Sequence, residues 1–535
     1  MRDHQQTDTI EKPKFTSPPG LSNSSTLRDE EAAAHFDHVE DWEVPSILDL
    51  PPAITEDQGD LDGDYHQPLE PDPLGAAIVQ PLTDDLSYIW PSPTALGIHD
   101  DSIFLPGSAY LDAHSMLRSH LIHEVNADYS TRLSSPEVVQ DGEVDIPVSL
   151  GNDAEGSATR HAALIEEEEF ILLENWIHEI SPWLDKFDSQ RHFQHTIPIM
   201  ARSHAHLRYS MLAASARQLE RKERSTHTER SLALYQKAIN LVLPELHTRS
   251  TPVIASCVVL CVLEMQSSSP KAWRQHLDGC AHLIHASGIH GFSGGVDQAL
   301  FWCFARMDVC GGLITSMNTL IPLEHWAPGM TLSDQIGLFK KTDGFDAHAC
   351  YAVYLCGHVL GLLAHRAQLA SRVGASPASD IDKTSTGYVT RWNQLWSCID
   401  DWYRYRPDEM LPVMTVNSSS DPFPKILYSN PAAISGNQLY HTASILMLQH
   451  KPPNITITPK PQSIFKHARQ VCAISISNGH HGAWTNAIQP LWIAGQWMSH
   501  PSEQKAILRL LDRIESETGW GTKWRAEDLK EFWGE

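Results

Sequence analysis

From residue 161 onward, apolar side chains recur three and four positions apart, the spacing that lines one face of an α-helix. The segment "EEEEFILLENWIHEI" sets Phe170, Leu173, Ile177 and Ile180 on one stripe, behind acids suited to a helix N-terminus. "SLALYQKAINLVLPEL" aligns Leu232, Tyr235, Ile239 and Val242, and "AWRQHLDGCAHLIHA" aligns Trp273, Leu277, Cys280 and Ile284. "TPVIASCVVLCVLEM" is apolar on every side, so it predicts a buried central helix, with Thr251 as N-cap and Pro252 at the first helical position. "RWNQLWSCIDDWY" stripes Trp392, Leu395, Ile399 and Trp402, and a helix opening at Pro501 stops at Gly519. A strand pattern is offered only by "NITITPK" (454–460). The expected fold class is therefore all-α: a large helical bundle or superhelix over 161–535, without the fixed period of a repeat array.

Before residue 161 the pattern changes. Residues 1–108 hold neither the helical nor the strand period, and they read as a disordered acidic tail. "AYLDAHSMLRSHLIHEVNA" (109–127) repeats Leu117, Leu121 and Val125, which predicts an isolated helix followed by an acidic linker to 160. Charge follows the same boundary. Residues 1–160 hold 31 acids and 7 bases, whereas the remaining 35 acids and 33 bases nearly cancel in the body. A near-neutral body and an acidic tail lack the basic footprint of a nucleic-acid binder and suit protein partners instead. "HFDHVEDWEVPSILDL" (35–50) and "DDLSYIWPSP" (84–93) mix bulky side chains with carboxylates. That composition fits either a solubilising tail or an activation segment that folds onto a partner's groove. The N-terminus has no apolar signal region, and the longest apolar run, 253–263, falls short of the ~20 residues of a membrane span, so no membrane role is expected.

Candidate chemistry is sparse. Gly291-Phe292-Ser293-Gly294-Gly295 fits the nucleophile elbow G-x-S-x-G, which would make Ser293 the nucleophile of a serine hydrolase. An elbow needs a strand before it, and here a helical pattern precedes it, so the glycines are expected to turn the chain between helices, with Gly288 just past a helix end. His123-Glu124 and His178-Glu179 each lack the second histidine of H-E-x-x-H, and the adjacent His480 and His481 point apart on a helix. Cys257 and Cys261 share a helical face but sit among valine and leucine, as buried thiols do. Arg306 and Asp308 interrupt an apolar helix and form either a buried polar network or the wall of a ligand pocket. "RQLERKER" (217–224) reads as a solvated helix face. No phosphate loop occurs. The reading is thus no enzyme, no catalytic residue, no metal ligand and no cofactor.

Longer motifs carry a resemblance. "ENWIHEISPWLDKFDSQRHFQHTIPIMARSHAHLRYSMLAASARQLER" (174–221), "WRQHLDGCAHLIHASGIHGFSGG" (273–295), "ALFWCFARMDV" (299–309) and "TLIPLEHW" (319–326) are similar to the fungal-specific transcription factor domain. So are "ILYSNPAAISGNQLYHTASILMLQ" (426–449), "GAWTNAIQPLWIAGQWMSHPSEQKAIL" (482–508) and "ETGWGTKWRAEDLKEFWG" (517–534). This domain is the helical regulatory region of fungal zinc-cluster regulators, here of the ARCA-like branch. The resemblance implies a nuclear transcriptional regulator or co-regulator of metabolic genes, acting through coactivators, pairing with itself or with zinc-cluster relatives, and open to a small-molecule effector. The family's usual DNA-reading module is a six-cysteine binuclear zinc cluster near the N-terminus. No cysteine precedes Cys257, so no zinc- or DNA-contacting residue carries over, which counts against direct DNA binding. The alternatives are a piece of a longer DNA-binding factor with a misassigned start, and an inhibitor that pairs with full-length relatives.

Overall fold

The computed structural model describes residues 108–132 and 166–535, apart from 225–227, 268–269, 316, 331, 342–343, 373–377, 418–419 and 454. The acidic tail and most of the linker lie outside the described residues. The chain divides at residues 79 and 80, and everything described belongs to the second unit.

Helices make up nearly all of the described residues. The N-terminal group comprises α1 (Ala109–Arg132), α2 (Glu166–Asn175), α3 (Ser181–Leu184), α4 (His192–Met200), α5 (Ala205–Lys222) and α6 (Glu229–Val242). It continues through α7 (Thr251–Ser267) and α8 (Pro270–Ser287) to the buried α9 (Gly295–Thr315). The C-terminal group comprises α10 (Leu332–Lys341), α11 (Phe345–Arg372), α12 (Ala378–Arg404), α13 (Pro431–Gln449), α14 (Ile464–Ser477) and α15 (His481–Gly495), closed by α16 (Pro501–Thr518) and α17 (Lys523–Trp533). α9 packs on α7 and α8 on one side and on α11 and α15 on the other, so it joins the two groups.

Local sequence explains the boundaries. Asn430 caps α13 by accepting the Ala433 N–H, with Pro431 in the first turn, and Ser463 caps α14 by accepting the Lys466 N–H. Gly519 ends α16 at φ +75°. Among the described residues the strand content is one hairpin, β1 (Met414–Val416) antiparallel to β2 (Lys425–Leu427), with Thr415 opposite Ile426. It is not where the sequence pointed: residues 455–460 form no strand. α11 contains a stretch, Phe345–Gln368, long and apolar enough to cross a membrane by length and composition, but 78% of its apolar window is buried inside the fold.

Three expectations change. The stripe predicted from Phe170 is rotated: Phe170 is 66% exposed, Leu172 and Trp176 are buried, Leu173 and Ile177 are partly buried against the core, and Ile180 is buried as expected. A π-helical turn, Trp176–Ile180, follows and widens the period beyond that point. Residues 217–224 are not a solvated face throughout, because Arg217, Gln218 and Glu220 are buried. Glu220 accepts from the Ser231 N–H and hydroxyl, and Ser231 is joined to the Tyr110 hydroxyl. That contact also shows that α1 is not isolated. Tyr110, Leu117 and Leu121 enter the common core against α6 and α8, where Leu121 lies on Gly279.

Candidate functional site

The glycine turn lines a cavity of about 260 Å³. α8 ends at Ser287, and Gly288, Gly294 and Gly295 all have positive φ, between 55° and 80°. The chain therefore reverses into α9 through conformations that L side chains resist. Gly291 serves differently. A Cβ there would lie 2.8 Å from Cζ2 of Trp302 and 3.1 Å from the Trp326 carbonyl oxygen. The loop is laced to those residues: the Gly291 N–H donates to the Trp326 carbonyl, and the Trp302 indole N–H donates to the Gly291 carbonyl, each at 2.9 Å.

Ser293 is an exposed turn residue. Its hydroxyl accepts the His290 N–H at 2.9 Å, and its own N–H donates to the His290 carbonyl. Helix α8, not a strand, leads into it, and among the described residues no strand precedes it to form an elbow.

Arg306 is the polar group the cavity is built around. It is 6% exposed, on the buried face of α9. Its Nη2 donates to the Leu184 carbonyl at 2.6 Å, its Nε to the Trp302 carbonyl at 3.3 Å, and the guanidinium lies 5.0 Å from the centre of the Phe187 ring. Phe187, Trp302 and Phe339 supply aromatic walls, while Asp188, Ser189 and Asp346 stand at the more exposed mouth. Asp185, just outside the lining, caps α4 through both oxygens, accepting the Phe193 and Gln194 N–H groups at 2.8 Å. Burial nevertheless pushes its carboxyl up to about 7.

Asp308 turns away from Arg306. It is wholly buried and accepts the N–H groups of Leu320 and Ile321 at 2.8–3.1 Å, fixing the chain after α9. Burial pushes it, too, up to about 7. The two charges that share an apolar helix thus divide the alternatives between them: Arg306 is pocket wall, and Asp308 belongs to a buried polar network.

The remaining candidates scatter. His480 caps α15, whereas His481 contacts Glu179 and Glu517, which raise its pKa. His123 and Glu124 lie in α1. Cys257 and Cys261 are buried together with Cys280, and burial pushes the first two thiols up, so they stay protonated. No group of three or more potential metal ligands converges among the described residues. Nothing in the sequence announced that segment 184–192 would close over the glycine turn. The two lie about a hundred residues apart, and only the apolar flank of Arg306 hinted at a pocket.

The fungal specific transcription factor domain matches residues 171–534, which contain both walls of the cavity. The chain belongs to that family. Among curated proteins it is similar to the transcription activator AMTR1 of Alternaria alternata, with 24% identity over 333 residues, 51% of this chain and 43% of the relative. The match thus spans less than half the length of that relative. No solved structure matches the chain. The cavity, the buried arginine and the glycine turn all lie within that transcription factor domain.

Proposed function

We propose that this chain is a nuclear transcriptional regulator of the zinc-cluster type that works through protein partners. The acidic N-terminal region recruits coactivators or the transcription machinery. The helical domain is the control module: it pairs with itself or with zinc-cluster relatives, and it takes up a small effector in the cavity beside Arg306. The observation that carries this reading is the family match across 171–534. The concentration of net negative charge in residues 1–160 supports the recruiting role, as does the similarity to a transcription activator. The test is to fuse residues 1–160 to a foreign DNA-binding domain and read a reporter gene. Activation is expected. A silent fusion, expressed at normal level, removes the recruiting role.

A further inference from the structure

The cavity has two electrically different ends, and they define what it can hold. At the deep end, Phe187, Trp302 and Cys303 are buried around Arg306. A guanidinium carries five N–H donors and a full charge. Here two nitrogens reach carbonyl oxygens, and no carboxylate stands within ion-pairing distance of Arg306 among the described residues. Carbonyl dipoles satisfy donors without neutralising a cation. A buried charge left in that state is costly unless a counter-charge arrives. The nearest acid that acts on it, Asp185, commits both oxygens to the start of α4 and is only partly ionised at neutral pH. The adjoining Lys186 is directed elsewhere, onto the Gly482 carbonyl at 2.8 Å.

The mouth has the opposite sign. Asp188 and Asp346 are partly exposed there. Asp188 accepts the His192 N–H and faces its imidazole at 2.8 Å, and Asp346 accepts the Ser189 N–H at 2.7 Å. A ligand with one negative charge seated on Arg306 leaves only apolar material near these carboxylates. A second negative charge would be held against them.

Between the ends the walls are flat and aromatic. Trp302 and Phe339 meet with ring centres 5.9 Å apart, and Phe339 stacks on Tyr351 at 4.8 Å. The volume, about 260 Å³, falls just under the ~300–1,000 Å³ of drug-sized pockets, which limits the occupant to one ring or a fused pair.

We propose that this cavity binds a small aromatic monocarboxylic acid, carboxylate first, with the carboxylate on Arg306 and the ring between Phe187, Trp302 and Phe339. This deepens the control-module reading by naming the chemical class of its effector. Direct binding to the purified full-length chain tests it separately: loss of binding leaves the reporter result standing, and a silent reporter fusion leaves the cavity chemistry standing.

The experiment is isothermal titration calorimetry with three probes: 3-phenylpropionate, its neutral amide, and the dianion phenylsuccinate. Saturable binding of 3-phenylpropionate is expected, with the amide and the dianion each weaker by at least about tenfold, as expected when a charge-assisted hydrogen bond is lost or like charges are brought together. Arg306→Met should abolish the preference for acid over amide. Arg306 also holds the Leu184 carbonyl, so a second variant guards against misfolding. Ala347→Phe, at a half-buried wall position, fills the cavity without touching Arg306 and should weaken 3-phenylpropionate by at least about tenfold. The proposal is overturned if 3-phenylpropionate does not saturate at millimolar concentration, if the amide binds as tightly as the acid, or if Ala347→Phe binds like the wild type.

Discussion

Substituting Gly291 by alanine tests whether the glycine turn is a packed wall or a catalytic elbow. The added Cβ would sit 2.8 Å from Cζ2 and 3.3 Å from Cε2 of Trp302, and 3.1 Å from the Trp326 carbonyl oxygen. Comfortable carbon contacts lie at about 3.5–4.0 Å, so the indole must retreat by something near 1 Å. It has little freedom to do so. Trp302 is 5% exposed, its N–H is bonded to the Gly291 carbonyl, and its ring meets Phe301, Trp326 and Phe339 edge-on at 5.5–5.9 Å. Overpacking of this kind costs about 1–3 kcal/mol. Because the Gly291 N–H···Trp326 bond is strained by the same step, Gly291→Ala should lose about 2 kcal/mol. The companion variant, Ser293→Ala, removes one exposed hydroxyl that accepts the His290 N–H and should cost no more than about 1 kcal/mol. Equilibrium urea unfolding followed by tryptophan fluorescence measures both. The reasoning fails if Gly291→Ala lies within about 0.5 kcal/mol of the wild type, or if Ser293→Ala proves the more damaging of the two.

Other consequences can be measured in the same way. Leu117 is fully buried where α1 meets the core, so Leu117→Ala should cost about 2–4 kcal/mol, and limited proteolysis should then cut within 109–132 while the 166–535 body persists. Burial lowers His348, His467 and His480 to about 4 and His358 to about 3, from an ordinary value of 6.5. The unfolded chain therefore binds more protons between pH 6.5 and 4, and the stability these groups leave intact above pH 6.5 is lost as pH falls through that window. Asp185 and Asp308, raised to about 7, act in the opposite sense over pH 4–7, as do Asp346 and Asp528, which burial also raises, but burial lowers His206, His285 and His441 as well, so the lowered histidines outnumber these acids seven to four. The melting temperature should fall from pH 6.5 to 4, and Asp308→Asn should steepen that fall by removing one opposing group. The nine cysteines are free and all buried or half-buried, with Cys310 pushed up to about 11 and Cys356 and Cys472 to about 12. Iodoacetamide at pH 8 should label at most about one thiol in the native protein and all nine after denaturation, as read by intact mass.

What the sequence disclosed and what it withheld follow from the range of the forces involved. Helices set by local spacing are legible: Trp273, Leu277, Cys280 and Ile284 are all buried as their period requires, as are Trp392, Leu395, Ile399 and Trp402. Gly288 and Gly519 stand where a helix must stop. Phe170 was misplaced because spacing alone does not fix how the first turns of α2 are rotated: Leu172 and Trp176 face the core there, while Leu173, Ile177 and Ile180 still pack on it. The docking of α1 was invisible because its decisive bonds, Tyr110 to Ser231 and His114 to Glu264, join positions more than a hundred residues apart. Polar side chains in a helical pattern look solvated until their partners are known, which also misled the reading of Arg217 and Glu220. The cavity shares this limit. Arg306 and Gly291 were both conspicuous in the sequence, yet the floor they share needs Leu184 and Phe187 from another part of the chain.

The contrast between Arg306 and Asp308 explains why one α9 charge belongs to the architecture alone and the other is also left available. Two residues apart on a helix, their side chains leave the axis on different sides. Asp308 meets the N–H groups of Leu320 and Ile321, donors that favour its ionised form even as burial opposes it. A carboxylate accepts bonds only, so three such contacts go far towards satisfying it. Arg306 meets carbonyls, from Leu184 and from its own helix at Trp302. Those bonds hold segment 181–187 against α9 and keep the guanidinium plane fixed against Phe187, but they leave donors and net charge unspent at the cavity floor. Rigid placement of an incompletely compensated cation in an aromatic pocket is what preorganised anion recognition requires. The same geometry ties the occupant to the joint between the two helical groups, because the floor at Arg306 belongs to α9 while Cys350 in the lining and Asp346 at the mouth belong to α11.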